Sequence, residues 1–165
     1  MIITYTGKEF EPTIPSGEVD IVDIAHALGN ICRFNGHCSR FYSVAEHSVR
    51  CAEAAKGYPD EIIKQCLMHD ASEAYLGDIV TPLKRPMDWF YEDSLLAYIC
   101  KAFGIKYPFD PVVWEIDKFM YYTEVNALMK YTCEDEWGPF GSPDLSIPMS
   151  GQRFLEYWEK LIHVC

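Results

Sequence analysis

The chain is predicted to fold as a single all-α domain of about six helices, and three observations carry that expectation. Apolar residues recur three and four positions apart through most of the 165 residues, the spacing of a helix with one buried face. Helix start signals (Asp20, Ser43, Pro59-Asp60, Asp110-Pro111 and Ser150) stand just ahead of those stretches. Strict apolar-polar alternation is confined to the first ten residues, through Ile3, Tyr5 and Phe10, which suits a short N-terminal hairpin or extended arm. Little strand beside this much helix means helix-on-helix packing. At 49% apolar the chain has material for one core, and its length suits one domain, residues 1–165, better than two.

Each element follows from its local signals. Asp20 caps a helix through Ile21, Ile24, Ala25 and Leu28, stopped by Gly29-Asn30, and a polar loop containing Gly36 follows. Ser43-Val44-Ala45-Glu46 has the capping-box pattern, so a second helix starts at Ser43 and runs to about Lys56, before Gly57. Pro59-Asp60 opens a third, with Ile62, Ile63, Cys66, Leu67 and Ala71 as one stripe and Gly77 as its end. Pro82 and Pro86 keep the next segment out of helix. Asp88 caps a fourth helix with Trp89, Leu96, Ile99, Cys100 and Phe103 on one side, and Asp110-Pro111 starts a long fifth reaching about Tyr131. Three prolines and two glycines make 134–149 a loop. Ser150 starts the last helix, 150–163, with Phe154, Leu155, Trp158, Leu161 and Ile162 inward.

Composition excludes several function classes. No apolar run reaches the roughly 18 residues of a membrane span, and Met1-Ile2-Ile3-Thr4-Tyr5 lacks the basic flank of a secretory signal. Cytoplasm is the expected compartment. Seven scattered cysteines form no C-x-x-C pair, which indicates neither a disulfide framework nor a zinc knuckle. A formal charge of −11 argues against DNA or membrane binding but not against a small anion, because a cation can invert the potential inside one cleft. The aromatic-rich last helices offer a face for self-association as a homo-oligomer.

The doublet His69-Asp70 is the strongest chemical clue. Two metal-ligand side chains beside Leu67 and Met68 are costly to bury unless they bind something, and together they suit a divalent ion. Glu73 lies three and four residues on, and Asp78 follows Gly77, so water-handling acids sit close by. His47, near the start of the second helix, is the natural partner from another element. On the long helix Val113, Ile116, Met120, Ala127 and Tyr131 share a face into which Asp117 intrudes; a carboxylate in an apolar stripe is anomalous. Glu124, seven residues later, competes for the fourth ligand position, and Asp117 is favoured as the deeper and better fixed. His26 is assigned to packing of the first helix, His37 and His163 to exposed or structural positions, and Trp89, Trp114, Trp137 and Trp158 to core or helix contacts.

The pattern His47, His69-Asp70, Asp117 resembles that of the HD-domain metal-dependent phosphohydrolases. Arg33-Phe34, Ser43-Val44-Ala45-Glu46-His47-Ser48, His69-Asp70-Ala71-Ser72-Glu73-Ala74-Tyr75 and Gly77-Asp78-Ile79-Val80-Thr81-Pro82-Leu83-Lys84 look like the YfbR-type branch. That branch spans 5′-deoxynucleotidases and phage-type dATP triphosphohydrolases. The resemblance covers about residues 20–125, and Asp23 to Phe34 favours the phage type. It implies metal ligation by His47, His69, Asp70 and Asp117, with Co, Mn, Zn, Mg or Fe as the ion. It further implies Glu73 and Asp78 as catalytic acids or holders of a second ion, phosphate contacts from Arg33 and Lys84, and Phe34 near the base. Glu115-Ile116-Asp117-Lys118-Phe119 departs from the small-residue context of the monophosphatases around the fourth ligand.

The implied chemistry is water attack at the α-phosphorus of a deoxynucleotide. A triphosphohydrolase giving deoxynucleoside and tripolyphosphate is favoured over a dNMP 5′-nucleotidase. A non-catalytic helical module with a structural metal is the alternative of a different kind. A cyclic-nucleotide phosphodiesterase would need a G-Y-P element after the doublet, and di-iron oxygenases need more histidines than the five present.

Overall fold

In the computed structural model, residues 1–80, 89–130, 144–146 and 148–163 are described, without the side chains of 89 and 90. The chain opens with an antiparallel hairpin of β1 (Ile2–Ile3) and β2 (Glu9–Phe10), Ile2 opposite Phe10. Seven helices follow among the described residues. They are α1 (Ile21–Asn30), α2 (Val44–Ala54), α3 (Asp60–Met68), the single turn α4 (Glu73–Leu76), α5 (Trp89–Ala102), α6 (Pro111–Leu128) and α7 (Gly151–Ile162). This is the all-α bundle with a short N-terminal hairpin. No helix among the described residues is long and apolar enough to cross a membrane.

Helix α2 is the hub, packed against α1, α3, α6 and α7. Every residue from Val44 to Ala52 is buried, so its polar side chains need internal partners. Ser43 Oγ accepts the Glu46 backbone N–H at 3.0 Å, half of the expected capping box. The Glu46 carboxylate does not complete the box. It accepts a forked pair from Arg40 (2.7 and 3.0 Å) and the Arg50 Nε and Nη2 groups (3.1 and 2.7 Å). Two guanidiniums beside a buried carboxylate outcompete one backbone amide. Both arginines also reach carbonyls of the distant chain, Arg40 that of Leu145 and Arg50 that of Asp144.

Several expectations shift on inspection. Asp20 caps α1 through the Val22 N–H, but Gly29 stays inside the helix. Its role is a close crossing: a Cβ on Gly151 would fall 2.3 Å from the Ala25 carbonyl oxygen, and one on Gly29 would fall 3.0 Å from the Gly151 Cα. Helices α1 and α7 thus touch backbone to backbone. The third helix is not continuous to Gly77. It stops at Met68, and 69–72 form tightened turns, with Ala71 N–H bonded to Met68 O and Glu73 N–H to Asp70 O. Helices α2 and α6 end short of Lys56 and Tyr131. Ile162 faces outward, Ala127 and Trp114 are exposed, and His26 is an exposed ring stacked on Tyr5 at 3.7 Å. Asp88, Tyr131, Trp137 and most of 134–149 lie outside the described residues.

Candidate metal centre

Three separate segments converge on one point. Helix α2 contributes His47, the tightened turn after α3 contributes His69 and Asp70, and the exposed edge of α6 contributes Asp117. The two Nε2 atoms of His47 and His69 lie 3.2 Å apart. His47 Nε2 is 3.1 Å from Asp117 Oδ1 and 3.6 Å from Asp70 Oδ2. His69 Nε2 is 3.3 Å from Asp70 Oδ2 and 3.6 Å from Asp117 Oδ1.

The other ring nitrogens fix what these atoms are. His69 Nδ1 sits 2.7 Å from the Cys66 carbonyl oxygen, which only accepts, so Nδ1 carries the hydrogen. His47 Nδ1 sits 2.6 Å from Glu124 Oε1 and donates to that carboxylate. In the neutral rings both Nε2 atoms therefore present lone pairs, to each other and to two carboxylate oxygens. Four electron-pair donors at such distances repel unless a cation or protons stand among them. An ion with bonds of about 2.1 Å spaces its ligands about 3.4 Å apart in a tetrahedron and about 3.0 Å in an octahedron. The observed separations, 3.1–3.6 Å, lie at or slightly above those spacings. The buried His47, Cys51 and His69, together with the partly exposed Asp117, form a group that can hold a metal ion.

Without an ion the site holds protons. Burial alone would lower the His69 pKa, but Asp70 and Asp117 outweigh it and raise it to about 9. His47 is also raised: burial and Arg33 oppose the charge, and Glu124 and Asp117 prevail. Burial works against the charge on Asp117, yet hydrogen bonds from His47 and His69 hold its carboxyl well below the usual range. These groups favour one another's charged forms, as a cation would favour the carboxylates.

Two residues beside the cluster were not read in these roles from the sequence. Glu124, weighed there as a candidate ligand, instead binds the far side of the His47 ring. Fully buried, it accepts His47 Nδ1–H and the Tyr42 hydroxyl (2.8 Å) on Oε1, and Arg33 Nε–H (3.2 Å) on Oε2. Burial tends to raise its pKa, but Arg33 and His47 bring it below the ordinary value. Glu124 lies deeper in the apolar face than Asp117, whose side chain is 33% exposed, so depth was the wrong criterion. A ligand needs an open side, and its supporting carboxylate does not. Cys51 is the second: its Sγ lies 3.5 Å from His47 Nε2, and with His47, His69 and Asp117 it forms a group of ligand atoms within 4.8 Å of one another. Burial, then the Asp117 and Glu124 charges, push its thiol pKa well up. The visible signal was spacing, four residues after His47 on one helix face.

Arg33 is buried with its Nη1 3.4 Å from Asp70 Oδ2. It starts a turn in which Phe34 and Asn35 have φ of 55° and 51°, a left-handed conformation costly for a side chain as bulky as Phe. Backbone bonds from Arg33 N to Tyr42 O and from Val44 N to Ile31 O pin the base of this loop. The Arg33 guanidinium lies 5.2 Å from the Phe34 ring centroid. Glu73, buried at the start of α4, is among the carboxylates whose charge raises the Arg33 pKa. Asp78 is partly buried in the irregular stretch after α4, and Lys84 lies outside the described residues.

Comparison with known proteins adds kinship. No protein-family model matches the chain. It is 41% identical to the uncharacterized protein YfdR of Escherichia coli K12 over 126 residues, covering 74% of this chain and 69% of that protein. The chain belongs to the YfdR family. An uncharacterized protein of Rhodobacter capsulatus is 37% identical over 97 residues, 53% of this chain, which spans half of that relative's length. In this member of the YfdR family, the cluster joins α2, the turn at 69–72 and α6 into one centre.

Proposed function

We propose that the chain is an HD-domain phosphohydrolase that uses a divalent cation to hydrolyse deoxynucleotides, with a dNTP of the dATP type as the favoured substrate. The observation that carries this reading is the set of two lone-pair nitrogens and two carboxylate oxygens with a guanidinium at its edge. His47, His69, Asp70 and Asp117 would hold the ion. Two imidazoles in that set suit Mn²⁺, Fe²⁺, Co²⁺ or Zn²⁺ better than Mg²⁺. When bound, the ion supplies positive charge that polarises a phosphoryl oxygen and acidifies water.

The chain's own residues do the rest. Arg33, a cation beside Glu124 and Asp70, is the residue assigned to neutralise charge on the phosphoryl oxygens. Glu73 is the acid assigned to take a proton from the attacking water. The water oxygen bonds to the α-phosphorus, the P–O5′ bond breaks, and O5′ leaves with a proton as the nucleoside hydroxyl. Tripolyphosphate is the second product from a dNTP. Among the described residues Arg33 is the cation set against the cluster, enough for one phosphate, which favours dNMP hydrolysis as the second reading.

Incubation of the purified protein with Mn²⁺, Co²⁺ or Zn²⁺ and each dNTP and dNMP tests this, with products separated as nucleoside, phosphate and tripolyphosphate. Metal-dependent nucleoside release, lost in Asp117→Asn and His69→Ala, supports the reading. Release of tripolyphosphate selects the first substrate class and release of phosphate the second. Ion binding with no turnover of any nucleotide overturns the reading and leaves the cluster as a structural site.

A further inference from the structure

Helix α2 brings a second donor to the cluster. Cys51 stands four residues after His47, about one turn on, so the two side chains leave the same face of a rigid helix. Its Sγ lies 3.5 Å from His47 Nε2 and 4.0 Å from Nδ1, nearer the nitrogen whose lone pair faces the cluster. An ion with bonds of about 2.1 Å to nitrogen and about 2.3 Å to sulfur sets those two ligands about 3.6 Å apart in a tetrahedron. A buried cysteine is ordinarily a small apolar filler. Cys66 and Cys100 are buried thiols as well, yet neither joins the group of His47, Cys51, His69 and Asp117, whose ligand atoms lie within 4.8 Å of one another. Asp70 is placed differently. Its Oδ2 is 3.6 and 3.3 Å from the two histidine nitrogens and 3.4 Å from Arg33 Nη1, so it has a cationic partner when it does not ligate. The two histidines and Asp117 are thus common to two donor sets, one closed by the Asp70 oxygen and the other by the Cys51 sulfur.

We propose that Cys51 is the ion-selecting residue of the centre: thiophilic divalent ions such as Zn²⁺ and Cd²⁺ bind through His47, His69, Asp117 and the Cys51 thiolate, while Mn²⁺ takes Asp70 as its fourth ligand. Sulfur is a soft donor and carboxylate oxygen a hard one, so exchanging them sorts ions by a property that the imidazoles do not test. Coordination breaks the Cys51 S–H bond, forms a sulfur–metal bond and passes the proton to the buffer. Only an ion that bonds sulfur strongly drives that exchange. The inference rests on the metal centre of the phosphohydrolase reading, not on hydrolysis, and deepens it by naming the residue that chooses the ion.

The test titrates the EDTA-stripped, reduced protein with Cd²⁺ and with Mn²⁺. It reads the ultraviolet thiolate-to-Cd²⁺ charge-transfer band and, by competition with a chelator of known affinity, the binding of each ion. The expected result is a band that saturates at one Cd²⁺ per chain in wild type and in Cys100→Ala and is absent in Cys51→Ser and Cys51→Ala. Cd²⁺ affinity should fall at least about tenfold in both Cys51 variants, while Mn²⁺ affinity stays within about threefold of wild type. Cadmium NMR of wild type reads the same donor set without any substitution, because a sulfur ligand moves the resonance downfield of a site made of nitrogen and oxygen alone. Bound Cd²⁺ with no thiolate band, a band that survives in the folded Cys51 variants, or equal losses for both ions overturns the proposal and leaves the nucleotide reading to its own assay. A Cys51-dependent band in protein that hydrolyses no nucleotide keeps the proposal and removes that reading. Uptake of neither ion removes both.

Discussion

Replacing Glu124 by Gln probes the candidate centre without touching a candidate metal ligand. The Glu124 carboxylate is fully buried and serves three donors, His47 Nδ1–H at 2.6 Å, Tyr42 O–H at 2.8 Å and Arg33 Nε–H at 3.2 Å. Gln keeps the size and replaces one accepting oxygen by a donating NH₂. If the NH₂ faces His47, two donors meet and the ring is driven to the tautomer with hydrogen on Nε2, which closes a lone pair the ion needs. If it faces Arg33, a buried guanidinium loses its counter-charge and its place beside Asp70. Either way metal affinity should fall about 10- to 100-fold, or about 1.4–2.7 kcal/mol. Calorimetric titration of EDTA-stripped protein with Co²⁺ or Zn²⁺ at constant pH reads this directly. Circular dichroism checks that the variant is folded. Tyr42→Phe supplies the contrast, since it removes one hydrogen bond to the same oxygen and leaves His47 its acceptor; its affinity should stay within a few-fold of wild type. Folded Glu124→Gln protein that binds the ion as wild type does would refute the assignment of Glu124 as the group that sets the His47 tautomer.

Other outcomes follow from the same geometry. His69 has a pKa of about 9 in the metal-free fold against an ordinary value near 6.5. Its protonation therefore stabilises the fold fully below pH of about 6.5, and that stabilisation, of order 3 kcal/mol, fades as pH rises through about 9. Urea midpoints of EDTA-treated protein at pH 6 and 9.5 should fall accordingly, and a higher midpoint at 9.5 contradicts the geometry. Metal affinity should move the opposite way, rising over that window, because the ion must displace those protons; competition with a chelator of known affinity measures it. Glu46→Ala strips two arginines, one fully buried, of their shared counter-charge and should cost about 3–5 kcal/mol in denaturant unfolding. Gly151→Ala forces a methyl to 2.3 Å from the Ala25 carbonyl oxygen, so helices α1 and α7 must part. A loss of about 1–3 kcal/mol is expected, and an unchanged melting temperature would deny the close crossing.

Helix positions were legible wherever a local signal coincided with burial. Asp20 and Asp110-Pro111 mark the starts of α1 and α6 because an N-cap and Pro at N1 act within a few residues. The break after Met68 was not legible, since Ile62 to Ala71 keep helical spacing through it and nothing in the local sequence is a helix breaker. The Glu46 side chain was misjudged for the same kind of reason. The capping-box pattern is local, while Arg40 and Arg50 compete for the carboxylate through the tertiary fold. In the candidate site, chemical anomaly was readable: histidines and acids embedded among apolar residues. Relative depth was not, because Glu124 and Asp117 share a helix and differ only in what lies opposite. Trp114 looked like core by type, yet the helix turns it to solvent.

The four donor atoms are spread over residues 47 to 117, on elements that meet only through long-range docking. No excised helix, and no hairpin of helices shorter than that stretch, carries the whole set. Ion uptake at this cluster would thus report finished architecture: followed during refolding, it should lag the recovery of helical signal and coincide with the last α2–α6 contacts. A ligand-like spectral band from Co²⁺ would time the moment at which distant parts of the chain lock into register.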